Sequence, residues 1–252
     1  SSTSKIQRWS AELYDTKAKF VGDLANEAVD MLDIKEGERI LDLGCGDGYL
    51  SQKLVDKGAI VVGADFSPEL VTTARDRGID ARHYNGEELD FENEFDGAFS
   101  NAAMHWMKRA DAVAEGVYKA LKPGGRFVGE FAGKKNAEII RTAIHAALDA
   151  RGFDSAKIDP WYLPDEAMYR PVLDGAGFSV KYLSLFDRPV VIDYHVSDWI
   201  RTFGSPYLAL LTDNQKEDLL TEVTAKIKPD LCDANGQWTI DYTRIRFLAV
   251  KS

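Results

Sequence analysis

Ile40-Leu41-Asp42-Leu43-Gly44-Cys45-Gly46-Asp47-Gly48-Tyr49-Leu50, followed by Ala59-Ile60-Val61-Val62-Gly63-Ala64-Asp65, is the stretch on which the reading of this 252-residue chain turns. The first piece reads as a short apolar strand breaking into a glycine turn, the second as another apolar strand that ends on a carboxylate. Glycines at 44, 46 and 48 let the backbone bend tightly and let a ligand lie against bare main chain. Asp65 stands about 20 residues past the turn, where a carboxylate accepts from the two hydroxyls of a ribose. The pattern points to a nucleoside-cofactor site at the switch point of a parallel sheet.

The acidity of the turn decides which cofactor. A dinucleotide fingerprint reads G-x-G-x-x-G, and this chain has Tyr49 where the third glycine belongs, giving G-x-G-x-G instead. Asp42 precedes the turn and Asp47 lies inside it. Two carboxylates are a poor cradle for a pyrophosphate, which favours helix N-termini and cations. They suit a ligand with an ammonium and a sulfonium, and S-adenosylmethionine carries both. A nicotinamide-dependent dehydrogenase is the weaker alternative.

Leu41-Asp42-Leu43-Gly44-Cys45-Gly46-Asp47-Gly48 resembles the first motif of the class I S-adenosylmethionine-dependent methyltransferases. Ala64-Asp65-Phe66-Ser67 resembles the end of their second strand, and Ala120-Leu121-Lys122-Pro123-Gly124-Gly125-Arg126-Phe127 the turn into their fifth. Phe95-Asp96-Gly97-Ala98-Phe99-Ser100-Asn101-Ala102-Ala103-Met104-His105-Trp106 is similar to the fourth strand and following loop of the trans-aconitate methyltransferase-like branch. These motifs fall in order over residues 39–131. The resemblance implies a Rossmann-like α/β fold: a mostly parallel seven-stranded sheet with an antiparallel final strand, plus a helical lid. It also implies S-adenosylmethionine as cofactor.

By the same resemblance, Gly44, Cys45 and Gly46 face the methionine part and ribose, Asp42 holds the loop, and Asp65 accepts from the ribose. Phe66 would flank the adenine. Asn85-Gly86 falls where the family has an aspartate accepting from the adenine amino group, and an amide oxygen accepts equally. Asn101 to His105 would pass under the methionine moiety. His105 is the histidine that the resemblance sets near the transferred methyl, either as a general base or as a packed imidazole. Cys45 also reads as a small buried residue.

Around this core, βαβ alternation predicts a sheet wound on both faces. The expected elements are a helix over 5–33, strands at 39–43, 60–65, 80–84, 95–100 and 126–131, and helices at 49–57, 68–77 and 109–121. Past Gly133 the pattern predicts helices at 136–150, 165–176, 196–203 and 213–228, with Pro206 and Pro229 as breaks, and strands at 178–186 and 242–250. The whole chain, 1–252, reads as a single methyltransferase domain with a cofactor core at 34–133. Residues 1–33 and 193–236 are expected to form a lid. On it, Tyr14 would close the cofactor pocket, with Trp9 beside it facing substrate.

Composition narrows the partners. A net charge of −10 opposes nucleic-acid binding, which needs a basic surface. No apolar run approaches the ~20 residues of a membrane span, and residues 1–30 lack a signal peptide's apolar centre. Cys45 and Cys232 form no paired spacing, so a cytoplasmic protein, monomer or homodimer, is expected. His83, His145 and His195 show no metal-ligand spacing, which argues against a metal.

A small-molecule substrate remains. Trp161, Tyr162, Phe203 and Tyr207 are candidates for an aromatic cage, with core packing as the alternative for each. Arg170 and Arg201 are candidates for holding an anion, with a solvated helix face as the alternative. Two acceptors follow. One is an oxygen or nitrogen of a small, planar or heteroaromatic metabolite, with His105 as base. The other is a carboxylate gripped by arginine, as in trans-aconitate or malonyl-thioester methyltransferases. A methyltransferase fold that binds without turnover is the third reading.

Overall fold

Apolar strands that alternate with amphipathic helices bury both faces of a parallel sheet, and this chain does so from its first described element onward. The computed structural model describes residues 24–252, so Trp9, Tyr14 and most of the helix expected over 5–33 lie outside the described residues. The described chain falls into two compact units. The sheet unit holds residues 24–134, Tyr162–Phe186 and Arg244–Ser252, and the helical unit holds Lys135–Trp161 and Asp187–Thr243.

In the sheet unit the order along the chain is α1 (Asn26–Leu32), β1 (Arg39–Leu43), α2 (Tyr49–Asp56), β2 (Ile60–Asp65), α3 (Pro68–Asp76), β3 (Asp80–His83) and β4 (Phe95–Asn101). A 3₁₀ turn (Met104–Trp106), α4 (Ala110–Ala120) and β5 (Leu121–Ala132) follow. The seven strands lie in the order β3-β2-β1-β4-β5-β9-β6, where β6 is Ser179–Asp187 and β9 is Thr243–Val250. β1 pairs parallel with both β2 and β4, while β9 runs antiparallel to β5. The chain therefore winds outward from β1 through β2 to β3, then crosses back to β4. That reversal is the switch point, and the glycine bend after β1 sits at its carboxyl end.

Both faces of the sheet are apolar. On one, Leu41, Ala98, Phe127, Phe131 and Phe247 pack with Val117 of α4 and Leu173 of α7 (Glu166–Ala176). On the other, Ile40, Phe99 and Val128 pack with Ala28, Val29 and Leu32 of α1. The first-turn chemistry of α3 is as its sequence dictates: Ser67 caps by accepting from the Leu70 amide, and Pro68 opens the helix.

The helical unit contains α5 (Glu138–Ala150), α6 (Ser155–Ile158), α8 (Val196–Phe203), α9 (Ser205–Leu208) and α10 (Asp213–Leu231). It also carries a small antiparallel pair, β7 (Val190–Ile192) with β8 (Trp238–Ile240), which the sequence does not announce. Three-residue strands are too short for a period-two signal. Pro206 starts α9 instead of only breaking the chain. Pro229 does not break α10, which continues to Leu231, because a proline in the last turn costs the helix only one amide donor.

One glycine of the bend is required by two independent constraints. Gly44 has φ +76°, and a Cβ on it would overlap the Cβ of Ala103 in the loop after β4. Gly37 has a similar φ of +81° with open space around it. Gly44→Ala is expected to lower stability by about 2 kcal/mol or more, and Gly37→Ala by about 1. Urea denaturation midpoints of the two variants check the difference.

Candidate active site

The bend is held by hydrogen bonds that its own sequence supplies. The Gly44 and Cys45 amides donate to the Ala64 carbonyl at 2.7 and 3.1 Å, tying the end of β1 to the end of β2. The carboxylate of Asp65 then accepts from two amides, Gly46 N–H through Oδ2 and Ser67 N–H through Oδ1, each at 2.9 Å. Asp47 accepts from the Tyr49 amide at 3.0 Å and faces Arg77 at 3.4 Å. Beneath the bend Asp42 is only 2% exposed, and its Oδ2 accepts from the Ser51 hydroxyl at 2.6 Å.

Crowding three carboxylates here has an electrostatic cost. Burial pushes Asp42 up to about 7, against the opposing Ser51 hydrogen bond and with help from the charge on Asp65. Burial likewise raises Asp65 above the usual carboxylate range, partly offset by the Ser67 and Gly46 amides. The Cys45 thiol is pushed up by burial and by Asp42 and Asp65. Its side chain packs in an apolar cluster with Val71, Ala74, Ile79 and Ala81, as an inert core cysteine does. A ligand bearing positive charge relieves this concentration of acid, so the residues present fit a sulfonium- and ammonium-bearing cofactor. They do not fit a pyrophosphate.

The next two strand ends complete the rim. Phe66 is 60% exposed, and its carbonyl accepts from His83 Nε2 at 2.8 Å. Asn85 Oδ1 accepts from the Glu87 amide at 2.9 Å, a local turn bond. Gly86 is buried against Leu43 and Met107, where a Cβ would collide.

The end of β4 is unusual backbone. Ser100 Oγ donates to the Leu43 carbonyl at 2.8 Å, locking β4 to β1. After Asn101, Ala102 takes φ +55°, a left-handed conformation that costs a residue with a Cβ about 1–2 kcal/mol. Its amide donates to the Glu130 carbonyl. His105 follows in the 3₁₀ turn. Its Nδ1 lies 3.3 Å from the Ala132 amide, and its carbonyl accepts from the Tyr162 amide at 2.8 Å. The residue is half-buried, and protein packs its ring closely. Desolvation first, and then the charge of Arg244, push its pKa down to about 3.

The remaining candidates divide between the units. In the sheet unit Tyr162 stacks on Phe131 with ring centroids 6.4 Å apart, and Arg170 is exposed on α7. In the helical unit Trp161 packs edge-on against Trp199 and Tyr207, and Phe203 packs on Trp199. Tyr207 is fully buried, with its hydroxyl 3.2 Å from His145 Nε2. Arg141 and His145 meet Asp159 there at 2.6 and 3.1 Å. Arg201 forms surface ion pairs with Asp198 and Glu217.

Sequence reasoning missed two arginines. Arg244 and Arg246 on β9 are each only 7% exposed. Arg246 donates to Glu130 at 2.8 Å, itself 2% exposed, and pairs with Glu27 of α1 at 2.7 Å. The available signal was Thr243-Arg244-Ile245-Arg246-Phe247, in which two charges alternate with core residues inside an apolar strand. Among the described residues no group of three acidic, histidine or cysteine side chains could hold a metal ion. No helix among them is long and apolar enough to cross a membrane.

A methyltransferase-domain family matches residues 41–129, the span that holds the bend, the ends of β1 to β4 and most of β5. Beyond that span, the chain is 35% identical over 257 residues to an uncharacterized methyltransferase of Schizosaccharomyces pombe, covering 96% of this chain and 98% of that one. The chain belongs to the class I S-adenosylmethionine-dependent methyltransferases. Among its methyltransferase relatives is a trans-aconitate 2-methyltransferase of Mycolicibacterium gilvum, 38% identical over 223 residues, with 85% of this chain and 88% of that one covered. The fold of YcgJ from Bacillus subtilis is similar, with a TM-score of 0.65 at 14% identity over 90% of this chain and 97% of that one. The seven-stranded order and antiparallel β9 of this methyltransferase are thus those its motifs imply.

The raised pKa of Asp42 gives this methyltransferase a distinctive pH response. An acid whose folded pKa exceeds its unfolded value of 3.8 leaves the fold most stable below that value, and the benefit is lost as pH rises to about 7. Asp42→Asn removes this dependence. The variant is expected to gain on the parent by about 3 kcal/mol between pH 4 and pH 7. Parallel urea titrations at the two pH values check it.

Proposed function

We propose that this methyltransferase transfers the methyl group of S-adenosylmethionine to a carboxylate oxygen of a small organic acid. The observation that carries the reading is His105, whose Nδ1 accepts from the Ala132 amide at 3.3 Å and whose basicity is lowered to about 3 by burial first and then by the charge of Arg244. An imidazole in that state takes no proton from a substrate at neutral pH. A phenol or ring N–H acceptor on a planar metabolite holds a proton and needs a base, whereas a carboxylate is already ionised. The relative named trans-aconitate 2-methyltransferase supports an acid as acceptor.

In this reading Asp65 accepts from the ribose hydroxyls, and Gly44, Cys45 and Gly46 offer their main chain to the rest of the cofactor. Asp42 holds the bend from beneath through Ser51 and contributes negative charge. Phe66, exposed at the mouth, flanks the base, and Asn85 with Gly86 borders its edge. Asn101 and His105 lie on the acceptor side. When bound, S-adenosylmethionine supplies a methyl group already activated by its sulfonium. The chain is left to align the partners and exclude water, and alignment alone contributes roughly 7–11 kcal/mol in well-oriented systems.

The test is incubation with methyl-labelled S-adenosylmethionine and a panel of di- and tricarboxylic acids. An alkali-labile methyl ester is expected, with turnover flat from about pH 6 to pH 8. An alkali-stable product, or a rate that climbs with the deprotonation of a phenol or ring N–H, would overturn the carboxylate reading. Asp65→Ala should weaken cofactor affinity by about 10- to 100-fold in calorimetry, since it removes charge-assisted hydrogen bonds worth about 1.5–3 kcal/mol.

A further inference from the structure

We infer that His105 is a fixed hydrogen-bond donor, its Nδ1 occupied by the Ala132 amide and its Nε2–H presented to one oxygen of the acceptor carboxylate. This rests on the acceptor class proposed above and assigns the histidine a role opposite to that of a base.

The argument begins with the donor. A backbone amide can only donate, so the ring nitrogen facing Ala132 N–H must offer its lone pair. A neutral imidazole has one N–H, which is then on Nε2. Protonating Nδ1 would set two donors against each other. It would also place a second cation near the buried Arg244 of β9, the charged side chain that acts on the ring. Two further charged groups of the neighbouring strands, Glu130 of β5 and Arg246 of β9, are taken up by each other.

The ring is also pinned in place. The His105 carbonyl is held by the Tyr162 amide, and the imidazole packs at 5.4 Å on Trp106. The preceding loop adopts its left-handed turn at Ala102 and presses Ala103 against Gly44, the first glycine of the bend. Strained backbone held at this cost marks a position whose geometry matters. Nε2 meets no hydrogen-bond partner among the described residues, and His105 as a residue is half-buried.

A fixed Nε2–H discriminates by hydrogen-bond polarity. It accommodates a carboxylate oxygen and rejects an ammonium or an N–H at the same point. Donation to one carboxylate oxygen leaves the other to attack the methyl carbon. No proton changes hands, so His105 orients the acceptor and selects it.

The test reads the tautomer first. The full-length protein is labelled with ¹⁵N-histidine, and His105 is identified by the signal missing in His105→Gln. Long-range ¹H–¹⁵N correlation is expected to show a bare Nδ1 and a protonated Nε2 from pH 5.5 to pH 8. A protonated Nδ1, or a titration midpoint inside that range, overturns the proposal. The kinetic arm compares two variants. Gln carries an N–H₂ close to the Nε2 position, so His105→Gln should keep kcat/KM within about tenfold of the parent. His105→Ala should lose about 10- to 100-fold, mostly in KM for the acid, with cofactor affinity intact. Equal loss in both variants overturns the donor role. An Nε2–H tautomer in a protein that methylates no acid would instead overturn the acceptor class, which separates the two failures.

Discussion

The carboxylate of Asp65 does two jobs in one place, and the rest of the site depends on it. By accepting from Gly46 and Ser67 it joins the bend after β1 to the turn after β2. These two loops are the carboxyl-end loops of neighbouring parallel strands, and without a shared acceptor their amides would be left buried and unpaired. The same carboxylate adds its charge to that of Asp42, so the group that shapes the bend also makes it negative. Shape and field come from one residue, which is why a cationic nucleoside cofactor fits here and a pyrophosphate does not.

On the other side of β1 the coupling is steric. Gly44 lacks a Cβ because Ala103 occupies the space, and Ser100 binds the Leu43 carbonyl. The bend and the β4 loop therefore fix each other's position, and Ala102 carries the backbone strain of that fit. A change in either loop propagates to the other through rigid contact. His105 inherits its placement from this packing and from the Ala132 amide of β5, so three strand ends define one imidazole.

Much of this was legible in the sequence because it is written locally. Glycine spacing, the acid at the end of an apolar strand, and Ser67-Pro68 at a helix start need only neighbouring residues to be read. The helix over Val196–Phe203 shows the same, with His195 accepting from the Ser197 amide at its start and Gly204 closing its end. What escaped depends on distant pairing. Arg246 meets Glu130 across 116 residues, and only the insertion of β9 beside β5 brings Arg244 into the neighbourhood of His105. Whether an aromatic lines a site or fills a core is equally non-local. Tyr207 is fully buried against Trp161 and His145, a grouping no spacing rule predicts. Pro229 shows the converse error, where a strong local signal is overruled by position in the final helical turn.

The charges at the strand ends follow a single logic. Acids gather where β1 and β2 end, and arginines are buried on β9, beyond β4 and β5. In the proposed carboxylate methylation, a cationic donor and an anionic acceptor are each most stable beside opposite charge, yet their reaction annihilates both charges. Strong counter-charges would stabilise the reactants more than the transition state, and water would do so still more. The arrangement moderates this. Asp42 sits near its own pKa at neutral pH, Arg246 is neutralised by Glu130 and Glu27, and His105 stays uncharged because burial first, and then the charge of Arg244, disfavour its protonated form. Recognition then rests on oriented hydrogen bonds more than on full charges, and hydrogen bonds lose less when charge disappears.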